Sequence, residues 1–195
     1  MNVLIVGDSF AADWTVKYPN QQGWPNLLSK KFTITNLAQA GCAEYRIYKQ
    51  LASVNLTEYD LVLVSHTSPY RIYTEYNPVR AHDKLHHHCD LLYADIEFLA
   101  KDNLDYTDVI EYFKKFFSIE YAEFGYKLIL KEINQLLLNI PAIQLLHQSD
   151  KTLQYPYIDI SSIFIEHQGL INHYSDTGNQ LVYDIICKEI DNLLK

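Results

Sequence analysis

Four short segments carry residue types that can do nucleophilic chemistry. They are Gly7-Asp8-Ser9-Phe10, Ala40-Gly41-Cys42, Ser65-His66-Thr67-Ser68-Pro69-Tyr70-Arg71, and Asn172-His173-Tyr174-Ser175-Asp176-Thr177-Gly178-Asn179. A serine hydroxyl is a weak nucleophile at its own pKa and becomes a useful one beside a general base. Ser9 would supply the hydroxyl. His173 would take its proton and hand it to a leaving group. Negative charge developing on a carbonyl oxygen needs donors aimed at it. The N–H groups of Ser9 and Gly41 are candidates, and Gly41 has no Cβ to keep a substrate from the backbone. Each segment alone has a plainer reading. Gly-Asp-Ser is ordinary turn chemistry, and Ser9 could cap a following helix. Gly41 alone reads as a turn glycine, and His173 alone as a surface histidine near a helix start. Only their combination, in this order along the chain, points to a site.

That combination resembles the SGNH/GDSL hydrolases. GDSF at residues 7–10 is similar to the first motif of that family, Gly41 in NLAQAGC to its second-motif glycine, and HYSDTGN at 173–179 to its last motif. The resemblance spans residues 3 to 185. It implies Ser9 as nucleophile, His173 as base, and an oxyanion hole that includes the backbone of Ser9 and Gly41. Two departures bear on activity. The family's third motif ends in Gly-x-Asn-Asp, whose asparagine donates to the oxyanion; here the segment is SHTSPYR, leaving Ser68, with Thr67 close behind, as donor. Losing one such donor costs on the order of a hundred- to a thousandfold in rate, part of which a hydroxyl could recover. The family's aspartate three residues before the histidine is Leu170 here. Glu166 is the best substitute; otherwise a backbone carbonyl orients His173 and the pair works as a dyad, with weaker control of the imidazole tautomer.

Two arginines and a histidine cluster remain. Arg71 follows a strand-end loop and could fork onto a substrate carboxylate or phosphate; a surface ion pair is the alternative. Arg46 has the same two readings, with the ion pair favoured. His82 and His86 could share one helix face, but adjacent histidines in His86-His87-His88 cannot converge on one ion as zinc requires. No second cluster completes a site, so no metal is assigned and no cofactor is implied. Cys89 has nothing nearby in sequence to lower its pKa, so it is not assigned as a nucleophile.

The elements that must position these residues follow from apolar patterning. Asn2–Val6, Phe32–Leu37, Leu61–Val64, Ala142–Leu146 and Tyr157–Ile160 read as strands; the uninterrupted apolar runs fit strands buried on both faces. Helices are predicted at Trp24–Lys31, Tyr45–Val54, Cys89–Ala100, Tyr106–Leu138 and Thr177–Leu194. Gly125 is expected to divide the fourth of these, and Thr177 with Gln180 has capping-box spacing. The alternation predicts a single α/β domain over residues 1–195. It would be a three-layer sandwich with a mainly parallel five-stranded, flavodoxin-like sheet and a helical insertion at about 74–140. In such folds ligands bind beyond the carboxyl ends of the strands, where the four segments lie.

Composition narrows the function. With 195 residues, 48% hydrophobic and 21% charged, the chain can bury one sizeable core. A net charge of −8 and the absence of a basic patch argue against nucleic-acid binding. Three scattered cysteines suit a reducing compartment. No signal peptide or membrane-length apolar run is seen, so a cytoplasmic location is expected. The expected function is a small-molecule ester hydrolase acting through a Ser9 acyl-enzyme. The alternative is a catalytically degenerate binding protein of the same fold, for a small acyl or sugar ligand. A nucleotide or phosphate binder would want a richer glycine loop than GDSFAADW.

Overall fold

The computed structural model describes residues 1–75, 85–86, 89–99, 106–147, 156–169 and 173–193. Five strands form one sheet: β1 (Asn2–Gly7), β2 (Thr33–Asn36), β3 (Leu61–His66), β4 (Ala142–Leu146) and β5 (Tyr157–Asp159). Their order is β2-β1-β3-β4-β5 and every pairing is parallel. The chain is thus an α/β fold of the expected class. Strand order reverses between β1 and β3, so the carboxyl ends of those two strands flank the topological switch point.

Alternation along the strands builds two cores. Val3 and Ile5 point to one face with Leu61, Leu63 and Leu145, where α1 (Trp24–Leu28) and α7 (Asp176–Leu193) contribute Trp24, Leu28, Val182 and Ile186. Leu4 and Val6 point to the other face with Val62 and Val64, covered by Ile47 and Leu51 of α2 (Glu44–Ala52) and Ile133 of α5 (Ile119–Leu136). The segment expected as an insertion thus supplies, through α5, part of one core layer. Its α3 (Tyr93–Leu99) and α4 (Thr107–Phe116) form a smaller cluster around Ile96, Tyr106 and Phe113.

Three local expectations are corrected. The long helical stretch divides at Phe117-Ser118, not at Gly125, because the Ser118 side chain accepts the Tyr121 N–H and caps α5. The cap of α7 is Ser175, whose Oγ accepts the Gly178 N–H, so Thr177 lies inside the helix. A short helix, α6 (Ser161–Glu166), follows β5 and was not anticipated.

Gly125 stands mid-helix in α5 with nothing within 4 Å of where a Cβ would sit. Gly125→Ala should therefore stabilise the fold by roughly 0.5–1 kcal/mol. Urea denaturation should show a higher midpoint at unchanged slope; an unchanged or lower midpoint would contradict this.

Candidate active site

β1 ends at Gly7, and the chain turns at once: the Ala11 N–H donates to the Asp8 carbonyl (3.1 Å) and the Phe10 N–H to Asp8 Oδ1 (3.1 Å). This Asx turn buries Asp8 and leaves Ser9 half-buried at its crest. Trp14 Nε1 donates to the Ser9 carbonyl at 2.7 Å. The Trp14 ring also packs on the His173 ring, centroids 4.3 Å apart, with Phe10 on another side at 5.1 Å. Backbone pairing pins the loop that carries His173: the Gly169 N–H donates to the His173 carbonyl, and Ser175 N–H to the His167 carbonyl (2.8 Å).

Beneath this surface runs a buried chain of polar side chains that sequence reading missed. Ser65 Oγ at the end of β3 lies 3.4 Å from Asp8 Oδ1 and 2.6 Å from His147 Nε2, just beyond β4. His147 Nδ1 lies 2.6 Å from the Tyr174 hydroxyl, next to His173 in sequence. Of these four linked groups the ionised Asp8 carboxylate alone has no proton to give, which fixes the direction: Tyr174 donates to His147, His147 to Ser65, and Ser65 to Asp8. The Phe10 ring stacks on His147 at 4.1 Å. Burial raises the Asp8 carboxyl from its ordinary 3.8 to about 6, against the lowering pull of the Phe10 N–H, the Arg71 charge and the Thr67 hydroxyl. Burial, helped by nearby His66 and His173, lowers His147 from 6.5 to about 3. Burial also pushes the Tyr174 phenol upward, so it stays neutral.

A second buried chain braces the other side. Asn134 Nδ2 donates to the Leu130 carbonyl (2.7 Å), so its Oδ1 accepts from Gln144 Nε2 (2.9 Å), and Gln144 Oε1 must accept from His66 Nε2 (2.9 Å). His66 Nδ1 sits 2.6 Å from Glu44 Oε1. Glu44 Oε2 accepts the Thr67 N–H (3.1 Å), which ties the loop after β3 to the start of α2.

Gly41 precedes that helix with φ +76°, a backbone conformation that favours glycine, and a Cβ there would collide with Cys89 Sγ. Asp90, fully buried, accepts from the Ala43 N–H (2.7 Å), the Thr74 N–H (2.9 Å) and the fork of Arg46 (2.7 and 3.0 Å). Arg46 is therefore held in an internal ion pair. Among the described residues, neither the Ser9 N–H nor the Gly41 N–H donates to another protein group.

Ser9, Gly41, Thr67, Ser68, Arg71 and His173 all line one cavity of about 900 Å³, whose wall also includes Asp8, His66 and His147. Among the described residues no hydrogen bond joins Ser9 to His173; both also line a smaller pocket beside this one. Ser68 Oγ accepts the Tyr70 N–H at 3.3 Å. Glu166 ends α6 in an exposed position and lines neither space. Leu170, His82, His87 and His88 lie outside the described residues. His86 packs edge-on against Trp14, 6.2 Å between centroids. Among the described residues no cluster of His, Cys, Asp and Glu could hold a metal ion, and no helix is long and apolar enough to cross a membrane.

No family model and no curated protein matches the chain. A solved structure of a protein described as lipolytic and of the G-D-S-L family, from Desulfitobacterium hafniense DCB-2, is similar. The two are 12% identical, with 94% of this chain and 95% of that chain covered and a TM-score of 0.36.

The two displaced acid–base groups act on stability in opposite senses. His147, lowered from 6.5 to about 3, contributes stability above pH 6.5 that is lost as pH falls, because only the unfolded chain takes up the proton. Asp8, raised from 3.8 to about 6, is protonated earlier in the folded state, so its contribution grows as pH falls from about 6 to 3.8. Each slope is about 1.4 kcal/mol per pH unit at most. Between pH 4 and 6 they oppose each other. His147→Gln should make stability rise as pH falls through that window relative to wild type, and Asp8→Asn should make it fall. Urea midpoints measured at pH 4, 5 and 6 that move in parallel for all three proteins would refute the assignment.

Proposed function

We propose that the chain hydrolyses carboxylic esters, with Ser9 as nucleophile and His173 as general base. The observation that supports this best is the meeting of Ser9, Gly41 and His173 on one cavity wall at the switch point of the sheet. In this reading Ser9 Oγ adds to the ester carbonyl as its proton passes to His173. Collapse of the tetrahedral species expels the alcohol, which takes that proton. Water then repeats the sequence on the acyl-enzyme, with His173 again as base. The N–H groups of Ser9 and Gly41 would receive the oxyanion, with the Ser68 hydroxyl in the place of the family's asparagine.

Glu166 is exposed and away from the cavity, so the reading assigns it no part; the Trp14 and Phe10 rings pack on His173 and help to place it. The missing Ser9–His173 hydrogen bond would form as substrate closes the gap, as it often does in catalytic sites. The same missing bond favours a second reading, a binding protein of this fold that does not turn over.

A fluorophosphonate probe and a short p-nitrophenyl ester separate the two. Wild-type protein should be labelled and should hydrolyse the ester. Ser9→Ala should abolish both. His173→Ala should lower both at least about a hundredfold, the smaller end of what a general base supplies. Removing one hydroxyl from a half-buried turn should leave the fold intact, which an unchanged thermal midpoint would verify. Folded wild-type protein that resists labelling leaves the binding reading.

A further inference from the structure

We infer that Arg71 forms a carboxylate-binding subsite, so that the ester taken by this cavity carries a free carboxylate within a few atoms of the scissile carbonyl. The ester part rests on the function proposed above; the carboxylate part does not.

The argument starts from hydrogen-bond satisfaction. A guanidinium has five N–H donors in a fixed plane. Arg46 uses its fork fully, on Asp90 at 2.7 and 3.0 Å and on the Thr74 carbonyl at 2.6 Å. Arg71 is the opposite case. Its Nη1 makes two long contacts, 3.4 Å each, to the Asp90 carbonyl and Asp95 Oδ2. Its Nε is buried without a hydrogen-bond partner, and its Nη2 makes no hydrogen bond among the described residues. The side chain is only 11% exposed, whereas that of its ion-pair partner Asp95 is 44% exposed. A nearly buried cation so incompletely paired is poised for an anion.

Position selects the kind of anion. Arg71 lines the cavity that holds Ser9, and its Nη1 lies 3.5 Å from where a Gly41 Cβ would sit, beside the proposed oxyanion site. An anion held by this guanidinium would therefore lie close to the reacting carbonyl. The other charged groups of that wall are Asp8, Asp95 and Lys17. Two carboxylates near the guanidinium disfavour a dianion such as phosphate and suit a single planar carboxylate, which the fork fits. Arg71 and Ser68 also line an adjoining groove of about 480 Å³, walled by aromatic side chains that include Tyr73, Tyr112 and Phe117. The carboxylate would sit where this groove meets the cavity that holds Ser9.

The test uses Ser9→Ala, which cannot turn over, and calorimetric titration with monomethyl glutarate, its neutral analogue dimethyl glutarate, and inorganic phosphate. Monomethyl glutarate should bind roughly 10- to 100-fold more tightly than the diester, the range expected of charge-assisted hydrogen bonds. Arg71→Met should erase that preference, and Arg71→Lys, which keeps the charge but not the fork, should retain a reduced one. If Arg71→Met does not fold, the reduced preference in Arg71→Lys carries the test. Equal binding of acid and diester, an unchanged preference in both variants, or tighter binding of phosphate than of the monoester would each overturn the proposal. In wild type, a matching preference for p-nitrophenyl hemiglutarate over p-nitrophenyl acetate should appear in kcat/KM. Loss of all ester turnover with carboxylate binding intact would count against Ser9 catalysis, not against the subsite.

Discussion

The chain of hydrogen bonds from Tyr174 through His147 and Ser65 to Asp8 is the constraint on which the upper face of this molecule depends. It crosses the carboxyl ends of three neighbouring strands, β1, β3 and β4, and reaches the loop that carries His173. Its four members come from four segments far apart in sequence. Without it, the Ser9 turn and the His173 loop would be joined mainly by aromatic packing, which is strong but weakly directional. With it, the separation between them is set by groups that cannot slide without stranding a buried donor or acceptor. Gly7 belongs to the same arrangement: a Cβ there would clash with Ser65, so the ends of β1 and β3 approach more closely than two side chains would allow.

Aromatic rings then fix what hydrogen bonds leave free. Phe10 touches His147, His173, Phe164 and Tyr174, and Trp14 covers His173 while holding the Ser9 carbonyl. Phe10, the residue after Ser9, and Tyr174, the residue after His173, therefore meet in one cluster. Packing of this kind fixes the position of the imidazole ring.

The sheet was readable because parallel strands are buried on both faces. Val3–Val6 and Leu61–Val64 are continuous apolar runs, Ala142–Leu146 is one broken only by Gln144, and each became a strand. Ser9, Gly41 and His173 could be placed beyond strand ends for the same reason. What stayed hidden depends on spatial neighbours. His147 follows β4 in a stretch that carries no local signature; its role comes from lying between Ser65 and Tyr174, which only strand order decides. The Glu44–His66 pair likewise joins α2 to β3. Within the long helical stretch, Gly125 looked like the break, yet helix tolerates a glycine at modest cost and the cap at Ser118 decided the boundary.

Asp90 constrains how such a protein can change over generations. It stands in the segment that joins the sheet domain to α3, and its backbone and side chain grip the Gly41 turn and the start of α2: its N–H donates to the Gly41 carbonyl, and its carboxylate receives Ala43 N–H and Arg46. Cys89 beside it fills the space that a Gly41 side chain would occupy. The segment that lines the cavity through Cys89 and Asp95 is thus also the mould around Gly41. Its exchange for another, by recombination or by loop grafting, would reshape the cavity and the Gly41 turn together. Single substitutions at its cavity-facing residues, with Cys89 and Asp90 kept, would change the cavity and leave that turn in place.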